Sequence, residues 1–174
     1  MQSLPHVPPT ISVRPATPRD ADALVAMFER CSPDSRYARF LSPVTRFPPG
    51  HLHDVLHTDG NRWSWIACEM RTQRVVALVS LFRSRAAPGS STGEIGLLVE
   101  DGEQRRGIGT ALLDVAAARG CDMGIDTMTA VALTSSRHVR GMLERFGTVT
   151  SRTDGHTSEH VVEVCTRLAR RASA

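Results

Sequence analysis

Lysine is missing from this chain. All 21 basic residues are arginine, set against 18 acidic residues for a formal net charge of +3. Aromatic residues are also scarce, at 5%, and the arginines are dispersed apart from Arg105-Arg106 and a tail with Arg167, Arg170 and Arg171. A nucleic-acid surface would show a basic stripe interleaved with aromatics, so no nucleic-acid partner is expected. Cys31, Cys68, Cys121 and Cys165 form no CxxC pair. That spacing matches neither a zinc site nor a disulfide framework, and the four read as buried reduced thiols. No apolar run approaches the ~18 residues of a membrane span, so no membrane partner is expected. Met1 to Ile11 contains three prolines and neither the basic nor the apolar part of a secretory signal. A cytoplasmic protein is the expectation.

What is present suits one α/β domain. Hydrophobic residues make up 41% of 174, enough to bury a core without staples. Residues 1–10 are Pro-rich and expected to be flexible, 11–168 form the domain, and 169–174 are a basic tail. The patterning predicts a strand over Ile11–Ala16, then a helix capped by Thr17 with Pro18 at its first position. Further helices are expected over Ser32–Phe40 and His51–His57. Strands follow at Arg62–Met70, Arg74–Phe82 and Glu94–Glu100, with a turn over Gly102–Arg106. Thr110–Arg119 reads as a strong helix stopped by Gly120. A strand over Thr127–Leu133, a helix over Ser135–Arg145, and strands at Thr148–Ser151 and His160–Thr166 complete the order. The histidines between Thr153 and His160 are assigned to a hairpin turn. The sum is a mixed sheet with helices on both faces.

The chemistry is concentrated in Glu94-Ile-Gly-Leu97-Leu-Val99-Glu-Asp-Gly-Glu-Gln104-Arg105-Arg106-Gly107-Ile108-Gly109-Thr110. A buried strand runs into a glycine turn that opens an apolar helix. Amides at a helix start lack partners and sit at the positive end of the dipole. Glycines let a phosphate approach them, and Arg105 and Arg106 add charge. A P-loop would need a lysine, and a Rossmann fingerprint a third glycine where Leu112 stands.

Gln104-Arg-Arg-Gly107-Ile-Gly109 resembles the Gln/Arg-x-x-Gly-x-Gly/Ala signature of the GCN5-related N-acetyltransferases (GNAT), over roughly residues 11–166. The resemblance implies an α/β GNAT fold: a mixed, mostly antiparallel sheet of six to seven strands flanked by about four helices. It implies acetyl-CoA as co-substrate, its pyrophosphate on the loop Arg105 to Thr110 with Gln104 and Ile108 part of the motif. Its pantetheine would lie along the backbone at Leu97 and Val99. Cys31-Ser-Pro-Asp-Ser-Arg-Tyr37-Ala-Arg39-Phe40 resembles a segment of bacterial Pat-type protein lysine acetyltransferases. That likeness implies a protein lysine as the amine acceptor. The later motif departs from theirs, with Ser136 at an asparagine position and Val139 at a methionine position.

An amine must lose its proton before it is acylated. The Pat likeness implies Glu94 as general base, with Glu69 the reserve. Many family members protonate the leaving thiolate from a tyrosine after the last core helix. The single tyrosine here, Tyr37, is in the N-terminal helical region, and no general acid is assigned. Tyr37, Arg36 and Arg39 are candidates for the acceptor entrance, and Trp63 and Trp65 for core or cleft packing. His53 and His57 are four apart, but beyond Asp54 or His51 no third ligand is evident, so no metal is expected. A small-molecule amine acetyltransferase, a non-catalytic acyl-CoA-binding module and a pure interaction domain remain open readings, as do a monomer and a homodimer. Without lysine, the chain offers no side-chain amine of its own for acylation.

Overall fold

The computed structural model describes residues 8–84 and 91–164. Seven strands form one sheet in the order β1-β2-β3-β4-β5-β7-β6. They are β1 (Ile11–Pro15), β2 (Arg62–Glu69), β3 (Val75–Arg83), β4 (Thr92–Val99), β5 (Thr127–Leu133), β6 (Val149–Asp154) and β7 (Thr157–Glu163). The helices are α1 (Ala21–Arg30), α2 (Pro33–Phe40), α3 (Pro49–Leu56), α4 (Ile108–Asp122) and α5 (His138–Leu143). Pairing is antiparallel in β1–β2, β5–β7 and β6–β7 and parallel in β4–β5. This is the mixed, mostly antiparallel sheet expected, and the five helices correspond to the five that the patterning predicts.

Two compact units divide the chain: residues up to Ser80 together with Leu97–Ala116, and Leu81–Gly96 together with the residues from Ala117 onward. In the first, α1 buries Leu24, Met27 and Phe28. Phe28, Phe40 and Phe47 meet with ring centroids 5.3–6.0 Å apart. His51 stacks on Phe47 at 5.9 Å. Burial, with Arg39 beside it, pushes the His51 imidazole down to about 4, so this ring is a neutral packing element. Trp63 and Trp65 are both buried, as is nearly all of β2. A strand covered on both faces shows no alternation of polar and apolar residues.

In the second unit, Gly120 does not stop α4, which runs on to Asp122. A Cβ at Gly120 would meet Leu81 Cδ2 at 2.9 Å, so the glycine serves close packing inside the helix. The chain turns instead at Gly124, where φ is +76°. Gly93 is fitted the same way: a Cβ there would lie 2.7 Å from Leu81 Cδ1 and 3.0 Å from Ile125 Cγ2. α5 is shorter than the predicted Ser135–Arg145, because Ser135 and Ser136 are taken up in turns, with Ser136 N–H donating to Leu133 at 2.8 Å. β6 and β7 are joined at Gly155-His156, with Gly155 at φ +56°. His160 therefore belongs to a strand. It is buried, with Nδ1 2.8 Å from Ser151 Oγ, and burial, followed by the Arg140 charge, lowers its pKa.

Cys31 and Cys68 are free and buried, and burial raises both thiols, Cys31 to about 11. Cys121 is disulfide-bonded, which corrects the expectation of reduced thiols throughout. Cys165 and the 169–174 tail lie outside the described residues, as do residues 1–7.

The turn between β1 and α1 is held by one carboxylate. Asp20 accepts from Arg14 at 2.5 and 2.9 Å and from the Thr17 N–H and hydroxyl, each at 2.8 Å. The Arg14 hydrogen bonds, opposed by burial and aided by Thr17, hold Asp20 down at about 2 from a usual 3.8. A depressed carboxylate contributes stability above its unfolded pKa and loses it as pH falls through the folded value. Asp20→Asn should therefore cost about 1–2 kcal/mol at pH 7, discounted because the Arg14 side of the pair is open to solvent. Urea unfolding of both proteins should show the gap closing between pH 4 and pH 2. A gap independent of pH would contradict the assignment.

Candidate cofactor loop and catalytic strand

The candidate site begins on β4. Its parallel ladder to β5 covers Thr92–Glu94, paired with Thr127–Thr129, and Leu97 and Val99 lie beyond the end of that ladder. Glu94 sits between buried Gly93 and buried Ile95, so alternation along the strand turns its side chain outward. The carboxylate is exposed and makes no hydrogen bond or ion pair among the described residues. Glu69, the reserve base, is occupied in the β2–β3 turn. It accepts from the Thr72 hydroxyl at 2.5 Å and lies 3.9 Å from Arg74.

After β4 the chain makes one 3-10 turn over Asp101–Glu103 and then enters the glycine loop. Arg105 has φ +59° and Gly107 φ +82°. Left-handed residues within a turn point successive N–H groups to one side, which makes an anion-binding concavity. The first amide of α4 with a backbone acceptor is that of Ala111, bonded to Gly107 at 3.0 Å. Among the described residues, the amides from Arg105 to Thr110 have none. Six polar groups at a helix start, carrying its positive end, suit a phosphate. Arg105 is exposed and has no acidic partner among the described residues. Arg106, by contrast, is paired with Glu103.

The loop is anchored by residues that the motif does not contain. Glu100, 8% exposed, accepts from Arg30 at 3.0 Å and Arg74 at 2.7 Å. Glu103 also takes Arg74, at 3.1 Å. A buried carboxylate is tolerated only when paired in this way. Asp101 accepts the Ser32 N–H and hydroxyl, both at 2.7 Å, and the Ser35 hydroxyl at 2.8 Å. Desolvation raises the Asp101 pKa, but these bonds outweigh it and leave the net shift downward. Gln104 donates from Nε2 to Ser35 Oγ at 3.0 Å and to the Val99 carbonyl at 3.1 Å.

Ser32 caps α2, its hydroxyl accepting from the Ser35 N–H at 3.2 Å. On that helix Tyr37 is 41% exposed. Arg36 is spent on the Phe28, Glu29 and Thr45 carbonyls. Arg39 is half-buried and donates to His51 Nε2 at 3.0 Å and Ser80 Oγ at 3.1 Å. Of the three residues considered for the acceptor entrance, Tyr37 is the one whose side chain is turned out. His53 on α3 and His57 just past its end stack 4.2 Å apart; among the described residues no group of three or more side chains could hold a metal ion.

Thus Ser32, Ser35, Val99, Asp101 and Gln104 come together as one cluster, while Glu94 stands five residues before Val99 on the same strand. Sequence reasoning missed the supporting set of Ser32, Ser35, Glu100, Asp101, Glu103, Arg30 and Arg74. Ser32 was visible as the start of a predicted helix, but nothing local announces partners some 70 positions away.

No curated protein matches the chain. Among solved structures, the GNAT domain of S. lividans PAT is 26% identical over 87% of this chain and 89% of that one, with a TM-score of 0.78. Two other structures share the fold at lower identity. Salmonella typhimurium yncA, solved with its cofactor acetyl-CoA, is 16% identical over 89% of this chain and 94% of that one, with a TM-score of 0.69. A cAMP-binding acyltransferase from Mycobacterium smegmatis is 22% identical over 88% of this chain but only 43% of that longer one, with a TM-score of 0.60. The model of the acetyltransferase (GNAT) family matches residues 22–148, from α1 through the loop and α4 to the end of α5, and the chain belongs to that family.

Proposed function

We propose that this protein transfers the acetyl group of acetyl-CoA to a primary amine, a lysine side chain on another protein, with Glu94 as general base. The observation that carries the reading is the row of amides from Arg105 to Thr110, without backbone acceptors among the described residues, at the start of a 15-residue helix. It fits a pyrophosphate. The pantetheine arm would add to β4 at Leu97 and Val99 in the manner of an extra strand. Bound acetyl-CoA would supply the thioester carbonyl that the amine attacks.

The chain's own groups do the rest. A free lysine amine has a pKa of ~10.4, so only about one in 10³ is neutral near pH 7.4. Glu94 has lone pairs that no group among the described residues engages, and it takes the amine proton directly or through a water. A backbone N–H of β4 is the group available to steady the developing oxyanion. No acid is needed for the leaving group, since a thiol of pKa ~8.5 departs as thiolate.

The acceptor is argued from α2. The Ser32-to-Phe40 segment is similar to Pat-type enzymes, and the 26% identity to the S. lividans PAT domain points the same way. A net charge of +3 also disfavours a polycationic small amine, whereas one lysine on an acidic partner surface is steered in.

Gly107→Val forces a β-branched side chain into a left-handed turn and fills the approach to the amides. Acetyl-CoA affinity by calorimetry should fall at least about tenfold; unchanged affinity in a folded variant would remove the loop from cofactor binding. Glu94→Gln keeps shape but cannot take a proton. Turnover should drop on the order of 10²–10⁴-fold with acetyl-CoA affinity retained, and the deficit should shrink toward high pH, where the amine is already neutral. Wild-type rates from pH 6 to 9 would exclude Glu94 as base. For the acceptor, acetyl-CoA is offered with lysate proteins and, separately, with aminoglycosides and polyamines. Enzyme-dependent acetylation of defined protein lysines is expected. Efficient small-amine acetylation with protein labelling at the uncatalysed background would overturn that part.

A further inference from the structure

Gln104 opens the glycine turn, yet neither its backbone nor its side chain is left for an anion. Its N–H donates to the Asp101 carbonyl at 3.3 Å. Its side-chain amide donates to Ser35 Oγ at 3.0 Å and the Val99 carbonyl at 3.1 Å.

The proton accounting explains why the residue must be a donor. Asp101 is an acceptor only, and the Ser35 hydroxyl gives its hydrogen to Asp101 Oδ1 at 2.8 Å. Ser35 Oγ therefore has only lone pairs left for Gln104. The Val99 carbonyl likewise has only lone pairs. Position 104 thus faces two acceptors at once, with a carboxylate behind one of them. A side chain there needs two N–H groups and enough length to span α2 and the end of β4. Glutamine and arginine meet this requirement. Glutamate offers only acceptors and adds a second negative charge beside Asp101.

We infer that Gln104 is a positioning residue: through Ser35 and Asp101 it clamps the start of α2 to the end of β4, and it holds the amides that follow without touching the cofactor. The cofactor side of this inference rests on the reading that the loop binds acetyl-CoA; the clamp itself does not. Because α2 also carries exposed Tyr37, the clamp ties the acceptor-side helix to the phosphate loop.

The test uses the full chain with Gln104→Met, which keeps length and removes both donors, Gln104→Arg, which keeps donors, and Ser35→Ala, which removes one acceptor. In ligand-free protein, hydrogen exchange of the α2 amides should speed up in Gln104→Met and Ser35→Ala and stay slow in Gln104→Arg. Acetyl-CoA binding should weaken on the order of five- to tenfold in Gln104→Met, the worth of a hydrogen bond or two. It should recover in Gln104→Arg, and Gln104→Met should cost less in the Ser35→Ala background than alone. Unchanged α2 exchange together with lost affinity would make Gln104 a direct ligand and overturn the clamp. So would an arginine variant as impaired as the methionine one, or fully additive losses. If the wild-type protein binds no acetyl-CoA, the functional reading fails, and the exchange experiment decides the clamp by itself.

Discussion

A helix cannot satisfy its own first amides, and the structure around residues 100–110 is organised by that shortage. At α2 the shortage is met locally by the Ser32 hydroxyl, and Asp20 closes the turn before α1, while α3 and α5 start without a side-chain cap. At the start of α4 the amides from Arg105 to Thr110 have no backbone acceptor among the described residues. Leaving so many donors open is useful only if they stay in place. That stiffness is imported from polar contacts made by Glu100, Asp101, Glu103 and Gln104 to α1, α2 and the β2–β3 hairpin. The left-handed backbone at Arg105 and Gly107 then sets the direction of the turn.

α2 shows how position and exposure are divided along one short helix. Phe40 packs among Phe28, Phe47 and His51. Arg36 lies over the Phe28 ring at 4.6 Å and satisfies carbonyls at the end of α1. Arg39 lies 5.1 Å from the Phe40 ring centre. These two arginines, which in sequence look like a basic surface pair, work as packing and hydrogen-bonding groups. Arginine suits this because its guanidinium is planar, weakly hydrated and rich in donors.

Much of this was legible in the sequence, and the failures have physical causes. The strand over Thr127–Leu133 and the Ser32 cap follow from local alternation and capping chemistry, which need no tertiary partner. The glycine turn was readable because a left-handed backbone leaves a residue-type signature. Gly120 was misread because a glycine that stops a helix and one that lets a helix approach Leu81 are identical in one dimension. The β6–β7 turn falls inside the predicted one but is shorter, because the end of β6, Thr150–Asp154, is exposed and polar on both faces and has no alternation to mark it as a strand. The disulfide at Cys121 and the Ser32–Asp101 contact, 69 residues apart, lay beyond reach. The Ser32–Asp101 contact depends on which distant segments meet.

Arg30, Glu100, Arg74, Glu103 and Arg106 form a line of alternating charge behind the loop. Each interior member pairs with two neighbours, so the loss of any one removes a partner from the residue on each side of it. Such a line is epistatic: a replacement acceptable at Arg30 depends on what stands at Glu100, and one at Glu100 depends on Arg74. Drift along it must proceed by compensated pairs. The amide row, which presents only backbone groups, places no comparable coupling on the side chains of Ile108 and Thr110. The scaffold of the loop is thus more constrained in sequence than the surface it presents.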